Sequence, residues 1–359
     1  VRSDRERRGE ISRGQQAAAD ATIRGSAIGL PSWEEIMTKF SHHLIRFGAL
    51  IGGTMLATTV FAADQIEVGI VSVNYNSPSV QVQTDAAVKA AEAKGWKVEL
   101  FDGQGDQVAT NNAAIAFIDR GFDAIINTAS ANPQMTAVIK YANEKKVPFV
   151  STFSGLVPGI TADIGSNNTV DGAIAATELV GRIQGRGHVI KMNWTVLPAL
   201  KERDEGFHAV IDQYPDIKLT EIELKVPGQV DDAYNQMTNL MLANDDIVAV
   251  WAGWDEPGTA VARAIEQAGK SDKIFVASND GTNEAVDLIR KGAPYELTVA
   301  YDVERMGVTA VDVTENALKG VLPKSKILTL KPCLITKDSA PAAGQKIDFK
   351  TCNLFSGER

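Results

Sequence analysis

From Ile66 onward, short runs of β-branched and apolar residues alternate with longer stretches in which apolar positions recur every three or four residues. The first pattern predicts strands and the second helices. Ile66–Val73 (IEVGIVSV) reads as a strand, Val80–Lys94 as a helix closed by Gly95, and Trp96–Phe101 as a second strand. Helix 107–120, strand Asp123–Asn127, helix 133–145 and strand Val147–Ser151 continue the series. It then begins again, with strand Thr161–Gly165, helix 168–184, strand His188–Met192, helix Leu200–Gln213, strand 217–225 and helix 230–243. Strand Ile247–Trp251, helix 257–268, strand Lys273–Ala277, helix 282–291 and strand Leu297–Ala300 complete it, before helix Val303–Leu318 and a tail containing Pro and Lys. Such alternation predicts a parallel sheet covered by helices on both faces, and its repetition predicts an α/β protein of two similar doubly wound parallel-sheet lobes. Gly155–Asn168, with Pro158 and several turn formers, suits a crossing between the lobes rather than a loose tether.

The segment before Ile66 has a different pattern. Lys39, His42, His43 and Arg46 make a basic start, and Phe47–Val60 is an uncharged, mostly apolar run. At about fourteen residues it is shorter than the roughly twenty needed to cross a bilayer. Val60-Phe61-Ala62 supplies a small-x-small cleavage pattern, so residues 37–62 read as a signal peptide and the mature chain as starting near Ala63. An uncleaved anchor and a buried core helix are the alternatives. Residues 1–36 have no apolar period, and Trp33-Glu34-Glu35 can be encoded by a purine-rich ribosome-binding sequence just ahead of Met37. They read as an extension outside the true translation start, the alternative being a genuine amino-terminal segment. Export through a cleaved signal peptide places the protein in the periplasm.

From Ala63 onward 297 residues remain, with 28 Lys/Arg against 39 Asp/Glu, a net charge of −11. That length suits two lobes with their own cores, and the balance argues against nucleic acid, whose phosphates need Lys and Arg. The two cysteines, Cys333 and Cys352, both fall in the exported part and are expected to pair; two free buried thiols are the alternative.

In an open parallel sheet the ligand site lies beyond the carboxyl ends of the strands. The rule singles out Asn74–Ser79, Asn127–Asn132, Ser151–Ser154, Asn193–Trp194, Gly253–Glu256, Ser278–Thr282 and Tyr301–Asp302. Catalysis is poorly supplied there. Only His188 and His208 remain after export, both reading as surface or packed residues, and no dinucleotide or phosphate-loop signature occurs. No cofactor and no metal are expected. Asp255 with Glu256, and Asp280, are the one candidate carboxylate set for glycoside chemistry, a weak alternative because acids on such loops commonly cap helices. Sugar binding finds what it needs: aromatic faces for the C–H side of a ring, and amides, carboxylates and guanidinium for its hydroxyls. Phe153, Trp194, Trp254, Tyr75 and Tyr301 supply the faces, and Asn76, Asn127, Arg203 and Asp280 the polar partners. Core packing is the alternative for each aromatic, and a helix-surface charge for Arg203.

The stretches GIVSVNYNSPSVQVQTDAAVKAAEAKGWKVELFD, FDAIINTASANP, VPFVST, IGSNNTVDGAIAA, KERDEGFHAV, WAGWDEPGTAVARAIEQAGKSDKIFVASNDGT and LTVAYDVERMG occur in this order from Ile66 to about Leu328. Together they resemble the type I periplasmic solute-binding proteins of bacterial ABC importers, in the ribose- and galactose-binding branch. The resemblance implies two lobes joined by a three-crossing hinge, with crossings near Ser166, Tyr301 and Leu328. The first lobe would be 63–166 plus 302–328, and the second 167–301 plus 329–359. It also implies capture of a monosaccharide or related polyol by hinge closure, delivery to a membrane ABC permease, a monomeric state and no enzymatic activity. Asn127, Arg203 and Asp280 fall where ribose-type binders place Asn, Arg and Asp. Elsewhere Phe153-Ser154 replaces an Asp-Arg pair, Trp254 an Asn, Tyr301 a Gln, and Ser77-Pro78-Ser79-Val80 an Asn-Pro-Phe-Phe stretch. Acidic tips such as Asp102–Asp106 and Glu202–Asp204 would offer docking points to the permease. A receptor for an autoinducer or signalling sugar would share these features and stays open as an alternative.

Overall fold

The computed structural model describes residues 65–292 and 294–352. The extension 1–36, the signal segment 37–62 and residues 353–359 lie outside the described residues.

Two six-stranded sheets carry the chain. The first contains β1 (Glu67–Ser72), β2 (Lys97–Asp102), β3 (Ala124–Thr128), β4 (Phe149–Thr152), β5 (Ala162–Ser166) and β11 (Ile327–Leu330), in the order β11-β5-β4-β3-β1-β2. The second contains β6 (Gly187–Asn193), β7 (Ile217–Glu223), β8 (Ile247–Ala252), β9 (Phe275–Asp280), β10 (Tyr295–Ala300) and β12 (Cys333–Thr336), in the order β12-β10-β9-β8-β6-β7. The winding is the same in both, and every ladder is parallel except β10 with the returning β12. Side-chain pattern sorts centre from edge. The central strands β3 (AIINT) and β8 (IVAVWA) are buried on both faces, as helix-covered parallel strands must be, whereas β2 (KVELFD) and β7 (IKLTEIE) mix polar with apolar residues and lie at the edges.

The first sheet is flanked by α1 (Pro78–Ala93), α2 (Gln107–Asp119) and α3 (Thr136–Glu144). The second is flanked by α4 (Asn168–Ile183), α5 (Pro198–Ile211), α6 (Gln229–Ala243), α7 (Asp255–Gln267) and α8 (Asn283–Lys291). Helix α9 (Val303–Leu318) leaves the second sheet and packs along α1. The chain therefore passes between the sheets after β5, after β10, and between β11 and β12. Strand β11 pairs through Leu330 with Ser166, which puts the last passage at Lys331-Pro332, beyond Leu328. Cys333 and Cys352 form a disulfide with 5.7 Å between their Cα atoms. Closing a loop of 19 residues is worth about 3 kcal/mol in the chain-entropy picture. No helix among the described residues is long and apolar enough to cross a membrane.

One close approach matters for the site. A Cβ on Gly172 of α4 would stand 1.9 Å from the carbonyl oxygen of Arg203, and one on Gly206 of α5 would stand 1.9 Å from that of Thr169. Glycine at both positions lets the two helix backbones touch, and α5 is the helix that carries Arg203.

Candidate functional site

A cleft enclosing a cavity of about 60 Å³ lies between the lobes. Its walls come from the loops at the carboxyl ends of strands in both sheets. Val73, Asn74, Ser77, Ser79, Val80, Ala129 and Phe153 line it from the first lobe. Trp194, Leu197, Ala199, Leu200, Arg203, Val226, Gln229, Trp254 and Asp280 line it from the second. Three of these non-glycine residues hold a positive φ: Ala129 (57°), Phe153 (55°) and Asp280 (133°). Strained backbone of this kind concentrates where side chains are aimed at a task.

Arg203 anchors the arrangement. Its Nε donates to Asn168 Oδ1 at 3.1 Å, and its Nη1 donates to the Gly253 carbonyl at 2.9 Å and to Asp280 Oδ1 at 3.0 Å. Phe153 and Tyr301 flank the guanidinium at 5.4 and 5.0 Å, edge-on to one another. Burial, reinforced by the Asp280 carboxylate, raises the Tyr301 phenol well above its ordinary range despite the opposing pull of Arg203, so the hydroxyl keeps its proton and donates to Asp280. The buried charge of Arg203 is thus paired and hydrogen-bonded, as such a charge must be.

Two hydrogen bonds join the lobes across the cleft. Ser79 Oγ donates to Asp280 Oδ2 at 2.9 Å, and Ser77 Oγ donates to Glu256 Oε2 at 3.0 Å. Glu256 Oε2 also accepts from Gln229 Nε2 at 3.0 Å and Trp254 Nε1 at 3.4 Å.

Of the residues singled out in the sequence, the cleft brings together Arg203, Asp280, Phe153, Trp194 and Trp254. Tyr301 is buried against Arg203 and Asp280 and does not line it. Asn127 is also set back, its amide engaged with the Ser130 carbonyl, Asn132 Oδ1 and Ser154 Oγ at 2.8–3.1 Å. Tyr75 donates to Asp85 at 2.6 Å, and the exposed Asn76 donates to Asp102 at 3.2 Å; neither lines the cleft. Asp255 is buried, accepting from Ser278, Thr298, Tyr295 and both the amide and hydroxyl of Thr282, and burial pushes its carboxyl up to about 6. It ties β9 and β10 to α7 and does not share the cleft with Asp280, so the two do not form a carboxylate pair about a bound substrate. His188, on β6, is held by Asp246 and by Thr220 of β7, also away from the cleft.

Gln229, Val226, Leu197, Ala199 and Leu200 were missed in the sequence. The strand-end rule applied to β7 leads directly to Leu224–Gln229 and would have named two of them. The leucines carry no chemical signal and are recognisable only once α5 is docked.

The chain belongs to the periplasmic binding protein family, whose domain model, described as "Periplasmic binding protein domain", matches residues 68–321. The members of this family are substrate-binding proteins of ABC importers, not enzymes, and the type I fold of two parallel-sheet lobes is theirs. The chain is 24% identical over 283 residues to the ribose import binding protein of Haemophilus influenzae, covering 78% of this chain and 94% of that one. It is 24% identical over 301 residues to the D-apiose import binding protein of Paraburkholderia graminis, covering 82% and 96%. The solute-binding protein of an Agrobacterium vitis ABC transporter, solved with bound allitol, superposes with a TM-score of 0.73 at 21% identity, over 77% of this chain and 97% of that one.

Proposed function

We propose that this protein captures a monosaccharide or related polyol in the cleft and delivers it to the membrane permease of an ABC importer. Residues 65–166 with 302–330, and 167–301 with 331–352, act as the two closing lobes, the switch from one to the other following β11 at Lys331. The protein works as a monomer in the periplasm after loss of the 37–62 segment. The observation that carries this reading is the pair of hydrogen bonds from Ser77 and Ser79 of one lobe to Glu256 and Asp280 of the other, Asp280 being also the partner of Arg203. Contacts available only when the lobes meet are what convert binding into closure. Relatives named for ribose and D-apiose import, and a structural neighbour holding allitol, support the ligand class.

The test is calorimetry and thermal shift of the purified protein with pentoses, hexoses, hexitols and inositols. One of these should bind saturably and raise Tm, because a ligand that binds only the folded state stabilises it. Asp280→Asn should weaken that ligand by about 10- to 100-fold, the cost of losing a hydrogen bond to a charged group. A protein that binds none of the panel, or an Asp280→Asn variant that binds as tightly as the parent, would rule the reading out.

A further inference from the structure

Gln229 opens α6 and is only 7% exposed, yet it lines the cleft. Its Nε2 donates to Glu256 Oε2, and a carboxylate can only accept, so the amide cannot be turned over without placing oxygen against oxygen. That leaves Oε1 as a buried acceptor with no partner among the described residues. The other uncommitted polar groups on the walls are few. Arg203 Nη2, the Trp194 indole N–H and the side-chain amide of Asn74 make no hydrogen bond among the described residues, and Asp280 Oδ2 accepts only from Ser79, while the hydroxyl protons of Ser77 and Ser79 are already given to Glu256 and Asp280. Against these stand the side chains of Trp194, Leu197, Leu200, Val226, Trp254 and Val80.

A pyranose buries about five hydroxyls, and each one desolvated without a partner weakens binding severely. So few free polar positions beside so much apolar wall suit a ring with fewer hydroxyls better than a fully hydroxylated one. The charge balance narrows the ligand further: Arg203 is neutralised by Asp280, and Glu256 has only neutral donors around it, so a carboxylate or phosphate on the ligand would be repelled.

We propose, building on the sugar-binding reading above, that the cleft selects a neutral, partly deoxygenated sugar. One of its hydroxyls donates to Gln229 Oε1, and its methyl or methylene edge packs on the apolar wall formed by Trp194, Leu197, Leu200 and Val226. Gln229 is then a specificity-determining residue, set in place by Glu256.

Isothermal titration of the full chain with three matched pairs tests this: L-rhamnose against L-mannose, D-fucose against D-galactose, and 5-deoxy-D-ribose against D-ribose. In at least one pair the deoxy sugar should bind about tenfold tighter or better than its parent. Gln229→Met, which keeps the shape but removes the acceptor, should weaken that deoxy sugar by about tenfold or more. Gln229→Asn, which withdraws the amide by one methylene, should do the same and serves if the Met variant does not fold. A smaller preference in every pair, or variants that bind like the parent protein, overturns the proposal. If the parent sugars bind saturably and tighter, sugar binding stands and this inference alone falls; if no sugar of either kind binds, both fall.

Discussion

Asp171 shows how one residue can tie the site to pH. It lies in the first turn of α4, fully buried. Burial pushes its carboxyl up to about 6, against the opposing pull of the Ser166 hydroxyl and then of the Arg203 charge. In the unfolded chain it titrates at its ordinary value, near 3.8. Below pH 4 it is protonated in both states; as pH rises through 6 the folded state alone resists losing the proton, and stability falls by up to about 3 kcal/mol. Asp171→Asn should abolish that loss, so the stability of the variant relative to the parent should climb between pH 4 and 7 and then level off. Denaturant titrations that run parallel across this window would refute the assignment. Asp280, at the end of β9, and Arg203, inside α5, were picked out in the sequence by falling where ribose-type binders place Asp and Arg, and both line the cleft. Asn127 looked equally suitable, but its amide is taken up by its own loop at Ser130 and Asn132 and by Ser154 after β4. Gln229 was illegible because nothing in its local sequence says that one of its two polar atoms is left without a partner.

The position of Arg203 depends on helix packing. With α4 and α5 in backbone contact at Gly172 and Gly206, α5 sits close enough for the guanidinium to reach Asn168, Gly253 and Asp280 at once. Gly206→Ala would drive a methyl group into the Thr169 carbonyl, forcing the helices apart at a cost of about 1–3 kcal/mol. Because the same shift moves Arg203, the variant should lose ligand affinity as well as Tm. Normal affinity in a destabilised variant would show that the contact serves stability alone. The elements themselves were largely evident from the sequence, because apolar period distinguishes helix from strand and polar alternation marks an edge such as β7. The 3₁₀ turn Asn132–Gln134 ahead of α3 was read as part of the helix. There Pro133, suited to the start of a helix, gave no sign that the turn would close before α3 begins.

Across the whole molecule, the lobes meet most tightly where side chains are smallest. A Cβ on Gly155 of the first lobe would lie 2.7 Å from the ring of Pro198 in the second, and one on Gly105 would lie 2.7 Å from that of Pro227. Both glycines also hold a positive φ. Gly155→Ala should therefore hold the rims apart. Ligand affinity is expected to fall about tenfold or more, since only the closed population binds with both lobes, and small-angle scattering should show the variant keeping a larger radius of gyration at saturating ligand. A variant that closes to the parent radius would show that this rim contact does not limit closure.

The periodicities and turn signals along the chain were enough to specify two repeated α/β units and to point to the loops where a ligand would sit, because strand and helix preferences are local and parallel strands place their carboxyl ends on one side. Which atoms on those loops remain free was decided only when the lobes came together. Hydrogen bonds between residues some 200 positions apart, such as Ser79 with Asp280, consume some polar groups and leave others exposed to the cleft. No local pattern encodes that division, since it depends on distances between segments that have no fixed relation until both cores have formed.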